Sequence, residues 1–457
     1  MQDLTKGSIS SHLLKTASFM LVTMVFQTLY FLVDLYWVGR LGKEAVAGVG
    51  VAGNLTFIVL AISQMLGVGT TTLVSHAAGQ RNKERALLVF NQSQVLSTLV
   101  GALFLVVSMI FRTPYATALS ADAETAALAA DYLLYFLPAM GLQFCIVAMS
   151  AALRGVGNFK PGMVVQTATV IINIILAPIL IFGWGTGVAM GVAGAAMATL
   201  VAVVVGVAWL ATYFVGKEAY LHFLTHDLKP QMALWKDMLK IGLPAGAEFA
   251  MMAVYLMVVY TITRPFGAAA QAGFGIGMRV VQALFMPVVA LGFSVAPVAG
   301  QNVGAKLGQR VKAVFKDASL MAGGWMLLMA ILCNISPAAL IRIFSADPAV
   351  VAVGDEYLRI ISWNFVASGL IFVCSSMFQA MGNTIPSLIA SVTRVVVIAV
   401  PALLLSRVAG FELRWIWYIS AAAVLLQLAI VLLFLRREFR VRLDAMPAPV
   451  LAESAPA

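Results

Sequence analysis

Asp34 stands in a long apolar run, and Thr23, Gln27, Tyr30 and Asp34 follow one another at i, i+4, i+7 and i+11. In a helix that spacing puts all four side chains on one stripe. An ionised carboxylate held at mid-depth in a bilayer costs about 2.5 to 3.5 kcal/mol even on permissive scales, so the stripe must face protein or water rather than lipid. Gln166, Thr169 and Asn173 make a second polar stripe further along the chain. The neutral members could simply join helices by hydrogen bonds worth roughly 0.6 kcal/mol each. A carboxylate among them adds the capacity to take up and release a proton or a cation.

Glu248 is the other acid well inside an apolar run. It follows Pro244 by four residues, where negative charge suits a helix N-terminus or can reach water, so a structural and a functional role stay open. Arg279 shares a helix face with Gln271 and Gln282, and Arg394 shares one with Ser387 and Ser391. Both arginines are expected as structural buried charges, paired with Glu248 or with carbonyls.

The elements that position these residues are membrane helices. The chain has 457 residues, 62% hydrophobic and 11% charged, with a mean hydropathy of +0.97, more apolar surface than a water-surrounded core could hide. Spans of roughly 20 residues or more, the length needed to cross the hydrocarbon, are predicted near 13–38, 45–76, 88–111, 131–153, 162–183, 188–215, 238–263, 270–300, 313–335, 357–381, 386–406 and 414–435. The first apolar stretch is too long for a signal-peptide h-region and is kept as helix 1.

At an offset of 225 residues the chain repeats itself. Gly42, Gly48, Gly50, Gly67, Gly79 and Arg85 return as Gly267, Gly273, Gly275, Gly292, Gly304 and Arg310. Tyr30 returns as Tyr255, Tyr132 as Tyr357, and the turn Gly157, Asn158, Pro161 as Gly382, Asn383, Pro386. The fold class is therefore an all-α membrane protein of twelve transmembrane helices, in two six-helix lobes expected to be related by a pseudo-twofold axis along the membrane normal. The predicted division is an N-terminal lobe over 1–215, a cytoplasmic linker over 216–237, a C-terminal lobe over 238–440 and a disordered tail over 441–457. Asp34 falls opposite Val259 in the repeat, so the lobes are expected to work asymmetrically.

Most of the 29 Lys and Arg residues fall on one side of the predicted spans, so both termini are expected in the cytoplasm. The net charge of +10 expresses that topology, with no basic soluble module for nucleic acid. Cys145, Cys333 and Cys374 lie far apart inside spans without CxxC spacing, so neither a disulfide nor a zinc site is expected. His222 and His226 lack a third ligand and are expected on a solvated face.

The segments LYFLVDLYWVGRLG, GVGTTTLVSHAAGQRNKERA, RGVGNFKPGMVVQ, NIILAPILIFG and APVAGQNVGAKLGQRVKAVF resemble the multidrug and toxic compound extrusion family, MATE, and its DinF-like branch in particular, over about residues 10 to 440. The resemblance implies a multidrug efflux antiporter, not an enzyme, that exports organic cations or other amphipathic compounds by alternating access. The coupling ion would be a proton, with sodium as the other possibility, and neither a cofactor nor a structural metal is expected. It also implies that Asp34 is the coupling acid, supported by Tyr30 and Asn173. Thr23, Gln27, Gln166, Thr169, Glu248 and Tyr255 are assigned to the polar lining of the transport cavity. Two positions depart from the pattern, with Ala177 where many members carry an acid and Phe19 where many carry a proline, and the helix 10 acid of the NorM-like branch has no match. The expected partners are small amphipathic or cationic molecules and the lipid bilayer, and the chain is expected to act as a monomer.

The alternative from another class is a lipid-linked saccharide flippase of the related superfamily, which usually has additional helices and a strongly cationic cavity. A membrane enzyme would need paired acids or a His/Cys cluster, and a channel would need a re-entrant selectivity loop. The sequence contains neither pattern.

Overall fold

The computed structural model describes residues 1–216 and 220–444. The predicted tail lies largely outside the described residues, and so do residues 217–219 of the predicted linker. Twelve helices in the described chain are long and apolar enough to cross a membrane. They are α1 (Ile9–Gly39), α2 (Lys43–Gly79), α3 (Lys83–Leu119), α4 (Ala123–Gly155), α5 (Lys160–Phe182), α6 (Val192–Val215), α7 (Met232–Phe266), α8 (Ala268–Gly304), α9 (Gly308–Ile335), α10 (Pro348–Met381), α11 (Ile385–Leu405) and α12 (Arg414–Leu443). Each corresponds to one predicted span. The described residues contain no strand.

The repeat governs where helices begin and end. The first residues of α2, α3, α4 and α5 stand 225 positions before those of α8, α9, α10 and α11. Local chemistry enforces this register. Asp122 caps α4 by accepting from the Thr125 amide at 2.7 Å, and its repeat mate Asp347 caps α10 by accepting from the Ala349 amide at 2.9 Å. Such caps satisfy backbone donors that a helix start leaves without partners. Gly157 and Gly382 both take the left-handed conformation (φ 78° and 71°) that a helix stop needs and a side chain disfavours. The Asn158 amide then bonds the Leu153 carbonyl at 2.9 Å, and the Asn383 amide bonds the Phe378 carbonyl at 3.0 Å. Pro161 and Pro386 open the next helix in each half, where a missing amide proton costs nothing.

The chain forms two compact units, and their boundaries depart from the division predicted from sequence. The first unit is Met1–Gln2, Ser18–Val74 and Asn82–Ala250; the second is Asp3–Ala17, Ser75–Arg81 and Met251–Ala457. The start of α7 therefore packs with the first unit, because small residues let its backbone approach α2. A Cβ on Gly69 would sit 2.5 Å from the Met238 carbonyl, and one on Gly242 would run into the Met65 carbonyl. Within the second unit, residues before α1 are held by α8. The Leu4 amide donates to Gln301 Oε1 at 3.0 Å, Asn302 Nδ2 donates to the Leu4 carbonyl at 3.3 Å, and the Leu4 side chain is fully buried in the unit's core.

The described part of the linker is fastened to the first unit by two buried amides of α3. Asn91 donates from Nδ2 to the His222 carbonyl at 3.2 Å and accepts from the Leu224 amide at 3.1 Å. Gln92 donates to the Lys229 carbonyl at 2.7 Å and accepts from the Gln231 amide at 2.9 Å.

Candidate functional site

Asp34 is 9% exposed on α1. Its Oδ1 is buried without a hydrogen-bond partner, and among the described residues of its unit no Lys, Arg or His lies within ion-pairing distance. Tyr30, one turn earlier, and Tyr132, buried on α4, both lie within electrostatic reach of the Asp34 carboxylate.

Beside the acid is a small closed network centred on α6. Tyr30 Oη lies 3.0 Å from Thr199 Oγ1, and Asn173 Nδ2 of α5 donates to that same oxygen at 3.0 Å. Thr199 donates to the Ala195 carbonyl of its own helix at 3.3 Å. With Tyr30 as donor, the threonine's single proton and both of its lone pairs are used. The structure thus joins Tyr30 and Asn173 through Thr199, with Asp34 one turn beyond Tyr30 on the same helix. Thr199 lies in a helix of Val, Ala and Gly with no polar neighbour one turn away, so no stripe marked it. Tyr132 was visible only as a repeat position.

The remaining members of the two stripes divide. The Thr23 hydroxyl donates back to the Phe19 carbonyl at 3.1 Å, and that of Thr169 to the Gln166 carbonyl at 2.8 Å. Each satisfies itself on its own helix, and the Thr169 methyl occupies the space that a Cβ on Gly206 would need. Thr23 is buried and Thr169 half-buried. Gln27 is exposed and Gln166 half-buried.

In the second unit Tyr255 is buried, with its Oη 3.4 Å from Ser420 Oγ. The Arg394 guanidinium lies 5.1 Å from the centre of the Tyr255 ring. One expectation for the basic residues needs correction. Arg279 is exposed on α8 rather than a buried charge, because the buried face of that helix is taken by Gly277 and Met278 on one side and Val280 on the other. Glu248 belongs to the first unit and Arg279 and Arg394 to the second. Within its own unit Arg394 has no carboxylate at ion-pairing distance among the described residues.

The described residues include no group of three or more His, Cys, Asp or Glu that could hold a metal ion. Around Asp34 a cation would meet one carboxylate and neutral oxygens only, since Ala177, buried one turn beyond Asn173, supplies none.

The profile of the MatE family matches the chain twice, over residues 20–179 and 244–404. The chain is 26% identical to the probable multidrug resistance protein YoeA of Bacillus subtilis over 90% of both proteins. It is also 26% identical to a FAD transporter of Shewanella oneidensis, over 81% of this chain and 82% of that one. Among solved structures, a MATE crystal structure in the bent conformation has a TM-score of 0.90 at 24% identity, covering 96% of this chain and 98% of the other. A transporter of the MOP superfamily from Pyrococcus furiosus, described as having a binding pocket of reversed polarity, has a TM-score of 0.88 at 23% identity over 96% and 98%.

Proposed function

The chain belongs to the multidrug and toxic compound extrusion family, and on that premise we propose that it is a secondary active efflux transporter, exporting small amphipathic compounds in exchange for protons. It works in the bacterial inner membrane as a transporter rather than an enzyme, without cofactor, and with both termini in the cytoplasm as its Lys/Arg distribution favours. The observation that carries the reading is the buried Asp34 oxygen without a partner beside a saturated Tyr30–Thr199–Asn173 network.

Protonated, Asp34 is neutral and its O–H can seek an acceptor. Deprotonated, it needs a donor, and the Tyr30 phenol within its electrostatic reach is engaged at Thr199. Loss of the proton thus favours an arrangement in which Tyr30 leaves Thr199 for the carboxylate. A ligand shifts a conformational equilibrium only by its differential affinity for the two states, and this exchange of partners supplies such a difference for the proton. A bound cationic compound competes for the same carboxylate, so protonation from the outer side releases it.

Sodium is the second reading. A hard cation takes six or more oxygens, and the single carboxylate here, with Ala177 opposite, favours the proton. The test is transport in reconstituted vesicles with sodium replaced by choline. Under the proton reading the export rate is unchanged by that replacement and collapses when a protonophore removes the pH gradient; the reverse pattern assigns sodium.

A further inference from the structure

The two units carry opposite charges beside equivalent tyrosines. Tyr30 and Tyr132 of the first unit return as Tyr255 and Tyr357 of the second, but Asp34 returns as Val259, and Thr169 returns as Arg394. The same scaffold of two tyrosines that flanks an acid in one repeat flanks a base in the other.

Arg394 faces protein rather than lipid. Ser391 and Ser387 share its face of α11; the Ser391 hydroxyl accepts from Gln427 Nε2 of α12 at 3.2 Å, and the Ser387 hydroxyl donates to Ser375 of α10 at 2.9 Å. Tyr255 of α7 lies under the guanidinium, and Tyr357 of α10 lies within its electrostatic reach. The cation–π contact with Tyr255 engages the charge and leaves the guanidinium N–H donors to find acceptors. Of these, Nε is buried and has no acceptor. A cation held inside a membrane protein without a carboxylate partner in its own unit is expensive to keep and marks a binding role. The planar fork of donors suits a carboxylate or a phosphate.

We infer that Arg394 is the anion-binding group of the transport path, and that the exported compounds include amphipathic molecules bearing a carboxylate or phosphate. This rests on the reading of the chain as an exporter of amphipathic compounds. It separates the roles of the units: Asp34 in the first takes the proton, and Arg394 in the second takes the acidic end of the cargo.

The test uses purified full-length protein in lipid nanodiscs with no ion gradient, so it is independent of how export is coupled. Binding of rhodamine B, which carries a free carboxylate, is compared with binding of its ethyl ester, which has the same ring system without the acid. Wild type is expected to bind the acid about tenfold more tightly than the ester, the scale of one charge-assisted hydrogen-bonded contact. Arg394→Gln is expected to lose that preference while its ester affinity stays within about twofold of wild type, and Arg394→Lys to keep part of it, as a point charge without the fork. Equal affinity of wild type for acid and ester overturns the inference, and that comparison needs no variant to fold. Equal loss of both ligands in folded Arg394→Gln overturns it as well, since a merely structural arginine would act that way.

Discussion

The Asn173 side-chain amide donates to the Thr199 hydroxyl at 3.0 Å, and that hydroxyl is the one Tyr30 reaches from α1. One threonine therefore couples three helices of the first unit beside the carboxylate of Asp34.

Replacing Thr199 with valine keeps the volume and removes the hub. Two polar groups, the Tyr30 hydroxyl and the Asn173 amide, then lose their shared partner, at a cost of about 1 to 3 kcal/mol for a buried group left without one. The expected outcome is a lower melting temperature together with weaker dependence of export on the pH gradient. Thr199→Ser should retain both properties, because the hydroxyl remains. Wild-type melting and coupling in Thr199→Val would remove Thr199 from the site.

The close approach of α2 and α7 within the first unit depends on missing side chains. Gly242→Ala drives a methyl into the Met65 carbonyl, whereas Gly53→Ala meets nothing within 4 Å. Overpacking of this kind costs about 1 to 3 kcal/mol, so Gly242→Ala should melt earlier in thermal scans and Gly53→Ala should melt as wild type does.

The linker should loosen when its clamp is cut. Asn91→Leu and Gln92→Leu remove the side-chain bonds to His222, Leu224, Lys229 and Gln231. Limited proteolysis between residues 220 and 231 is expected to quicken in both variants, more so in the double variant. Unchanged cleavage would show that the segment is held by other contacts.

Much of this was legible in the chain itself, because the strongest signals are local. Twelve spans follow from hydropathy, and the repeat follows from glycines and prolines whose backbone roles at Gly157 and Gly382, or Pro161 and Pro386, few other residues suit as well. Asp34 can be named because an acid in an apolar helix has few explanations, and Tyr30 and Asn173 because they lie on polar stripes and match the family resemblance. Thr199 could not, since a lone threonine among Val, Ala and Gly carries no periodic signal and acquires its role only when three helices meet. The surroundings of the arginines are not legible for a related reason. A helical face can be read from spacing, but whether it points at a carboxylate, a ring or open space depends on which helices become neighbours. Arg279 is exposed, and the Arg394 guanidinium lies over the Tyr255 ring. The unit boundaries also differ from the predicted lobes, because close backbone approaches such as Gly69 to Met238 ignore chain order.

Asp34→Asn is the most direct test of the central claim. The amide keeps the shape and hydrogen-bonding capacity of the carboxyl group and removes its titration, so the variant should fold and melt near wild type. In proteoliposomes loaded with a fluorescent amphipathic cation and given an imposed pH gradient, wild type should show export accompanied by proton movement in the opposite direction. Asp34→Asn should show neither above the level of empty vesicles. Export at the wild-type rate, with the same dependence on the pH gradient, would contradict the assignment of Asp34 as the coupling carboxylate.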